Sequence, residues 1–343
     1  MRATYGNRMV AVVAGIAIAA AVPALAFRGG WPANPGAPVA GASQRAVGAA
    51  AQAAAVRYWT TSRMTRDLVR QPPQDTRQAW LSGDTDGAGL RWTHGGAVSA
   101  AVGRVFFTLG GAGYACSGAL IDSADSGSAD SGSADSGSTD SGSADPDVVL
   151  TAAHCVTGAP GRGRATQWAA NWVFVPGFTG GRLPYGEYTG HRFFVSPGWT
   201  APGGGEPDDI AFVQVTAATP AGGSGAARQP HGLPVAFASS QGAAVVTRSY
   251  VFGYPAEPPY AGLYPAYCAG LGTVSGGSAR MPCGMTAGDS GGPWLARFGP
   301  RSGSGQVTAV TTYKMSGDLA VLYGAVLGPP ARALYQRAVR SAR

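Results

Sequence analysis

From residue 97 onward, this sequence is a series of short apolar segments separated by glycine-rich stretches. Examples are VSAAVGRVFFTL, YACSGALI, DVVLTAAHCV and IAFVQVT, and the series ends with AVLYGAVLG. Short apolar runs bounded by turn-forming residues are typical of β-strands, and 54 Gly and 25 Pro disfavour long helices. The pattern predicts an all-β barrel or sandwich. The exception is the final PPARALYQRAVRSAR, which opens with proline and carries arginines towards its end, and so predicts a terminal helix.

The first residues have the composition of an export signal. Arg2 and Arg8 precede an apolar run over residues 9–22, and Ala24-Leu25-Ala26 comes next as a cleavage pattern. These features predict a signal peptide over residues 1–26. A membrane anchor is the weaker alternative, because spanning needs about 20 apolar residues. We therefore expect a secreted protein with no stable membrane association after signal cleavage, in a compartment where its four cysteines can pair.

Residues 27–91 differ in composition from the β-rich remainder of the chain. The stretch GGWPANPGAPVAGASQ is typical of a linker, and residues 44–70 are alanine-rich and compatible with helix. This region is either a pro-segment or an ordinary N-terminal extension. We favour a pro-segment, because the region separates an export signal from the part of the chain that carries catalytic motifs.

A five-residue repeat, ADSGS with one TDSGS, occupies residues 124–143 within a low-complexity segment over 123–145. It has no apolar residue larger than alanine, so it buries too little surface to offset the entropy cost of ordering it. We expect a solvated loop. Calcium binding is the alternative, but the spacing lacks the mixed ligands and terminal Glu of an EF-hand loop.

The charge distribution disfavours a nucleic-acid partner. The chain carries a net charge of +7, but five of these surplus charges lie in the first 90 residues. The remainder has no dense Arg or Lys patch with interleaved aromatic residues. No HExxH or CxxC spacing predicts a metal site, and we expect no cofactor. We expect His94, His191 and His231 to be exposed or structural.

The segment MPCGMTAGDSGGPWL raises the question of a nucleophile at Ser290. Its G-x-S-x-G pattern also fits the nucleophile elbow of α/β-hydrolases, but that fold requires a histidine after the serine, and no histidine lies beyond residue 290. The remaining order is His154, then Asp208 or Asp209, then Ser290. An imidazole can take the serine proton, a carboxylate can orient the imidazole, and glycines permit a tight turn whose N–H groups converge on an oxyanion.

The motifs CSGALI, LTAAHC, DDIAF and GDSGGP, in this order, resemble those of the chymotrypsin-like (trypsin-like) serine peptidases. The resemblance covers residues 97–343. The segments FGYPAEPPYAG and MPCGMTAGDSGGPW are most similar to secreted bacterial members, a group that includes glutamyl-endopeptidase-like enzymes. The resemblance implies two six-stranded antiparallel β-barrels with the active site between them, which we assign to residues 92–215 and 216–343.

By motif, the resemblance implies His154 as general base and acid, Asp209 as the orienting acid and Ser290 as nucleophile. It places the oxyanion hole at the N–H groups of Gly288 and Ser290. We also predict two disulfides, which pair Cys116 with Cys155 and Cys268 with Cys283.

Several positions depart from the family pattern. The interval from Cys116 to Cys155 is unusually long, and Thr286 stands where a cysteine is common. Gly284 occupies the position of the trypsin specificity aspartate, which argues against an Arg or Lys preference. The strand after the nucleophile lacks the histidine of glutamyl-specific members. No clear activation start is present that would pair with Asp289 as in animal zymogens.

These features predict a secreted serine endopeptidase, made as a zymogen and acting as a monomer on protein or peptide substrates. The alternative from a different class is a catalytically inactive binding protein on the same scaffold. All three motif positions carry the residues that catalysis needs, His154, Asp209 and Ser290, and this favours the enzyme over the inactive binding protein.

Overall fold

The computed structural model describes residues 43–65, 85, 87–122, 147–157, 167–201, 205–219, 230–239, 244–315 and 318–340. All of them belong to one compact unit, Val39–Arg343. The predicted signal peptide over residues 1–26 and the repeat over 124–143 lie outside the described residues.

The described residues contain fourteen strands, six helices and one 3-10 turn. The strands are β1 (Ser43–Ala46), β2 (Leu90–Arg91), β3 (Val102–Leu109), β4 (Ala112–Ile121), β5 (Asp147–Thr151), β6 (Ala170–Pro176), β7 (Glu187–Val195), β8 (Ala211–Thr219), β9 (Val245–Gly253), β10 (Ala266–Ser275), β11 (Ser278–Pro282), β12 (Pro293–Gly299), β13 (Ser304–Met315) and β14 (Asp318–Val326). The helices are α1 (Ala49–Tyr58), α2 (Thr61–Thr65), α3 (Ala97–Ala101), α4 (His154–Thr157), α5 (Pro197–Thr200) and α6 (Pro329–Arg340), and the 3-10 turn is Glu206–Asp208.

The first barrel is closed by six antiparallel strands in the order β7-β6-β3-β4-β5-β8, with β8 pairing back onto β7. Short β1 adds to β7 as an extra strand. Strand β3 is buried along nearly its whole length, since its residues face both the barrel interior and covering segments. One detail differs from the sequence pattern, because the segment predicted as strand from residue 97 begins as the helical turn α3 and becomes strand only at Val102.

The second barrel is closed in the order β11-β14-β13-β12-β9-β10, with β10 pairing onto β11 and short β2 added to β10. Closure leaves no exposed edge in the main sheet and gives each barrel its own packed interior. The predicted fold of two six-stranded antiparallel barrels is thus confirmed.

The predicted C-terminal helix is also confirmed as α6. Its buried face carries Leu334, Tyr335, Ala338 and Val339, an i, i+4 pattern that packs the helix on the first barrel. The Tyr335 hydroxyl donates to the Asp122 carbonyl at 2.6 Å, so the end of the chain is anchored beside β4. No helix among the described residues is long and apolar enough to cross a membrane.

The N-terminal arm, defined as residues 43–65, packs on the first barrel. Strand β1 pairs with β7, and α1 lies over β6 and β7. The indole N–H of buried Trp59 donates to the Asn171 carbonyl at 2.6 Å, and its ring lies 5.4 Å from that of Phe106. Further along the chain, Trp92 is buried in the second barrel among three aromatic rings, those of Phe252, Tyr267 and Phe298. The segments that precede β3 therefore contact both barrels.

Candidate active site

His154 lies where β5 leaves the first barrel. The strand ends at Thr151, the next two alanines are buried, and His154 opens the single helical turn α4. The disulfide between Cys116 and Cys155 ties this turn to β4. The histidine backbone is therefore fixed on both sides by the barrel wall and by a covalent bond.

Asp209 is buried and makes two hydrogen bonds to His154. The imidazole Nδ1 lies 2.7 Å from Asp209 Oδ2, and the backbone N–H of His154 donates to Asp209 Oδ1 at 2.9 Å. A carboxylate at Nδ1 favours the tautomer with a proton there, which makes Nε2 the basic nitrogen. Asp209 therefore fixes the orientation of the imidazole and leaves Nε2 as the nitrogen that can accept a proton.

Asp208 has different partners from its neighbour. The sequence predicts both aspartates at the head of a strand, but Asp208 closes the 3-10 turn and β8 begins only at Ala211. The Asp208 carboxylate accepts a hydrogen bond from the Ser196 hydroxyl at 3.1 Å. Because Asp208 closes this turn and Asp209 follows it, the two carboxylates reach different partners.

The groups around His154 change the pKa of its imidazole. Burial lowers the pKa of the imidazole, but the charge and hydrogen bond of Asp209, with a smaller contribution from Asp289, outweigh burial. The net pKa of His154 is raised above its ordinary value. This is the direction expected for a base that must hold a proton during a reaction cycle.

Ser290 lies in a tight turn before β12, and two glycines there adopt backbone angles that disfavour other residues. Gly288 has φ +104° and Gly291 has φ +84°. A Cβ at Gly291 would lie 2.2 Å from Thr151 Oγ1, so the turn packs directly against the end of β5. The GDSGG pattern is thus required both for the turn and for the close approach of the two barrels.

The turn brings Ser290 beside the histidine loop. Cys155 Sγ lies 3.9 Å from the Ser290 carbonyl oxygen, and the Ser117 N–H donates to that carbonyl at 2.7 Å. Both Ser290 and His154 are described, and their side chains are not hydrogen-bonded to each other; the imidazole Nδ1 instead contacts Asp209. Within the described residues, the N–H groups of Gly288 and Ser290 donate to no protein acceptor.

Ser117 is a site residue that no sequence signal singled out, although it lies in the motif CSGALI. It is fully buried, and its hydroxyl donates to the Gly288 carbonyl at 2.8 Å. The same hydroxyl accepts the Tyr254 N–H at 2.8 Å. With its own N–H on the Ser290 carbonyl, Ser117 holds the peptide that follows Gly288 and the peptide that follows Ser290. Serine is common in strands and turns, so its residue type alone does not distinguish it.

Asp289 is buried next to the serine. Burial raises the pKa of its carboxyl to about 7, and the charges of Lys314 and His154 oppose that rise. Its Oδ2 has no hydrogen-bond partner within the described part of the chain. The Asp289 carboxyl is thus a buried titratable group directly before Ser290.

The remaining cysteines and histidines lie outside this constellation. The second disulfide joins Cys268 to Cys283, just ahead of the turn that carries Ser290. His94 contacts the ring of Trp92, His191 lies in β7 with Thr216, and His231 is exposed.

One candidate metal cluster among the described residues consists of Cys116, His154 and Cys155. Its two sulfurs are joined in the disulfide, so they offer no thiolate ligand. The cluster therefore does not have the ligand chemistry of a metal site.

The fold relates the chain to solved bacterial proteases. No protein-family model matches it, and no curated protein matches it. Among solved structures, the protease Anisep from Arthrobacter nicotinovorans is 27% identical with a TM-score of 0.55, and the match covers 71% of this chain and 97% of that one. The thermostable serine protease AL20 from an extremophilic microorganism is 26% identical with a TM-score of 0.55, and the match covers 71% of this chain and 99% of that one.

Proposed function

We propose, from the chymotrypsin-like two-barrel fold that the chain shares with bacterial serine proteases, that the protein is a secreted serine endopeptidase. The observation that carries the proposal is the pair of hydrogen bonds between His154 and buried Asp209, set beside the turn that presents Ser290. Such a pair orients a base, and a base adjacent to a serine is what activates a hydroxyl as a nucleophile.

In the proposed reaction, His154 Nε2 takes the proton from Ser290 Oγ as the oxygen attacks the substrate carbonyl carbon. The carbonyl electrons move to the oxygen and form a tetrahedral intermediate. The imidazolium then gives the proton to the leaving amine, the carbon–nitrogen bond breaks, and an acyl-enzyme ester remains. Water, deprotonated by the same imidazole, hydrolyses the ester and regenerates Ser290.

The charge that develops on the substrate oxygen needs donors. The N–H groups of Gly288 and Ser290 are proposed to supply them, since neither is used within the described residues. Ser117 supports this role by fixing the Gly288 and Ser290 carbonyls, which belong to the peptides that directly follow the two donor residues, so the backbone on the C-terminal side of each donor is held. Asp209 is proposed to stabilise the imidazolium that forms when the proton is transferred.

The proposed substrates are proteins or peptides, and the proposed location is extracellular. The signal-like N-terminus and the two disulfides both support export to an oxidising compartment. Two covalent crosslinks would also help a protein persist outside the cell.

The test is nucleophile replacement with active-site labelling. Wild-type protein should react stoichiometrically with a serine-phosphonylating reagent at Ser290 and cleave an unfolded protein substrate. Ser290→Ala should abolish labelling and lower kcat by about 10⁶-fold without unfolding the protein. The control Ser302→Ala, in an exposed turn, should be labelled and cleave as the wild type does. Cleavage retained in Ser290→Ala would contradict the proposal.

A further inference from the structure

Lys314 is the single lysine of the chain, and its ammonium reaches the segment that leads to the nucleophile. The residue lies near the end of β13, and its Nζ donates to the carbonyl of Cys283. Cys283 lies seven residues before Ser290 in the sequence. The half-buried lysine side chain therefore spans from the end of one strand to the start of the nucleophile segment.

Strand β13 adjoins the nucleophile turn directly. The Gly291 N–H donates to the Thr311 carbonyl at 2.8 Å, and the Thr311 N–H donates to the Gly292 carbonyl at 2.8 Å. The pairing of β12 with β13 reaches only to Val310, so the last part of β13 projects past β12 beside Ser290. Lys314 lies three residues beyond Thr311 on this projecting part.

The charge environment is consistent with this placement. Burial raises the pKa of Asp289 to about 7 and the Lys314 charge opposes the rise, so the ammonium lies within electrostatic range of the residue before Ser290. Gly284, the residue after Cys283, has no side chain and adds no charge here.

Substrate chemistry fixes which side chain meets this region. The carbonyl carbon that Ser290 attacks belongs to the residue on the acyl side of the scissile bond. The side chain of that residue must lie close to the nucleophile turn, and a glutamate can extend its carboxylate well away from the backbone. A cation on the adjoining strand favours a carboxylate and disfavours an ammonium or guanidinium there.

We infer that Lys314 is a specificity-determining residue that selects an acidic residue, glutamate or aspartate, on the acyl side of the scissile bond. The inference rests on the proposed endopeptidase function, and assigns a substrate class to it. The supporting observation is that the Lys314 side chain extends from β13 and its ammonium contacts the Cys283 carbonyl. The histidine that the resembled glutamyl-specific enzymes use is absent, and the strand after Ser290 carries Lys314 instead.

The test compares peptide substrates that differ at one position. Matched fluorogenic peptides carry Glu, Gln or Lys on the acyl side of the cleaved bond, and kcat/KM is measured for each. Wild-type enzyme should prefer Glu over Gln by about 100-fold, and Lys should be the poorest substrate.

Two variants complete the comparison. Lys314→Gln should lower kcat/KM for the Glu peptide by about 100-fold and change that for the Gln peptide little. Arg301→Gln, which removes a cation from the turn at the opposite end of β13, is the matched control and should keep the wild-type profile.

Phosphonylation of Ser290 separates failure of this inference from failure of the proposed function. If wild-type protein is neither labelled nor active, the endopeptidase proposal fails and the inference fails with it. If wild-type protein is labelled and cleaves but does not prefer Glu over Gln, the inference alone is overturned. In a third outcome, wild type prefers Glu but Lys314→Gln is neither labelled nor active. The variant Lys314→Arg is then assayed with the same peptides. A Glu preference retained in Lys314→Arg supports recognition by charge, and loss of that preference overturns the inference.

Discussion

At the scale of single residues, the two adjacent aspartates give the sharpest contrast. Asp209 contacts His154 through both carboxylate oxygens, whereas Asp208 contacts Ser196. Asp209→Asn should lower kcat by about 10⁴-fold, the loss that the same change causes in a well-characterised Ser-His-Asp peptidase, because the amide favours the wrong imidazole tautomer. Asp208→Asn should change kcat little. Steady-state kinetics on both variants test the assignment, and the reverse ranking would contradict it.

The pH dependence of activity depends on the same contact. Catalysis needs neutral His154, and the pKa of His154 is raised because Asp209 outweighs burial. Activity should therefore fall as pH decreases through a value above the ordinary 6.5 of histidine. In Asp209→Asn, the Asp209 charge that raises the pKa of His154 is gone, whereas burial of the imidazole still lowers that pKa. The acid limb of the residual kcat/KM profile should therefore move to lower pH. Asp208→Asn should keep the wild-type limb, and a limb unmoved by Asp209→Asn would argue against the coupling.

Ser117 is predicted to position the oxyanion donors. Ser117→Ala leaves the Gly288 carbonyl and the Tyr254 N–H without their buried partner. We expect kcat to fall by about 10- to 100-fold with KM nearly unchanged, because the donors are needed mainly in the transition state. Ser249→Ala removes another buried serine hydroxyl in the second barrel and serves as the control for stability alone. Equal kcat values for the two variants would rule out a positioning role.

At the scale of elements, the connection between β4 and β5 explains how a long insertion is compatible with the barrel. The two strands are antiparallel neighbours, with Ile121 opposite Val148, so a short link can join them. Deleting residues 124–143 should leave kcat/KM unchanged and the melting temperature unchanged or slightly higher, because loop-closure entropy varies slowly with length. Thermal melts and kinetics with and without calcium test this. A large drop in melting temperature, or an effect of calcium on the wild type alone, would show that the repeat has a structural role.

At the scale of the whole molecule, the N-terminal arm is part of the packed unit. Trp59 is buried against the first barrel, and Trp59→Ala should lower the free energy of unfolding by about 3–5 kcal/mol. Tyr114→Ala, at a half-exposed aromatic, should cost far less. Denaturant unfolding measures both effects, and equal losses in the two variants would contradict a structural role of the arm.

The packing of the arm also bears on maturation. The composition of residues 27–91 favours a pro-segment there, but β1 and α1 contribute a strand pairing and buried side chains to the folded unit. We therefore predict that, on export as proposed, the mature form retains the arm and any removed pro-segment ends before Ser43. N-terminal sequencing and intact mass of the secreted protein test this. A mature form that lacks residues 43–65 and is fully active and stable would contradict it.

In the sequence, apolar segments bounded by turn residues predict the all-β class, and the pattern of the last residues predicts the terminal helix. The resemblance of four short motifs to those of serine peptidases implies the two barrels and the candidate residues His154, Asp209 and Ser290. The two predicted cysteine pairs are the ones that the structure joins. The 3-10 turn that precedes β8 and separates the partners of the two aspartates has no signal in the sequence pattern.

The partners of the site residues, in contrast, depend on contacts between distant parts of the chain. The hydrogen-bonded pair Ser117 and Gly288 is separated by 171 positions, and the lysine that reaches the Cys283 carbonyl is separated from it by 31. Trp59 lies 112 positions from its acceptor. Each contact joins a side chain to a backbone carbonyl whose position depends on the order in which distant strands pair. A single serine, lysine or tryptophan carries no periodic signal of such a partner, so closure of the barrels and the packing of their connecting segments place these contacts.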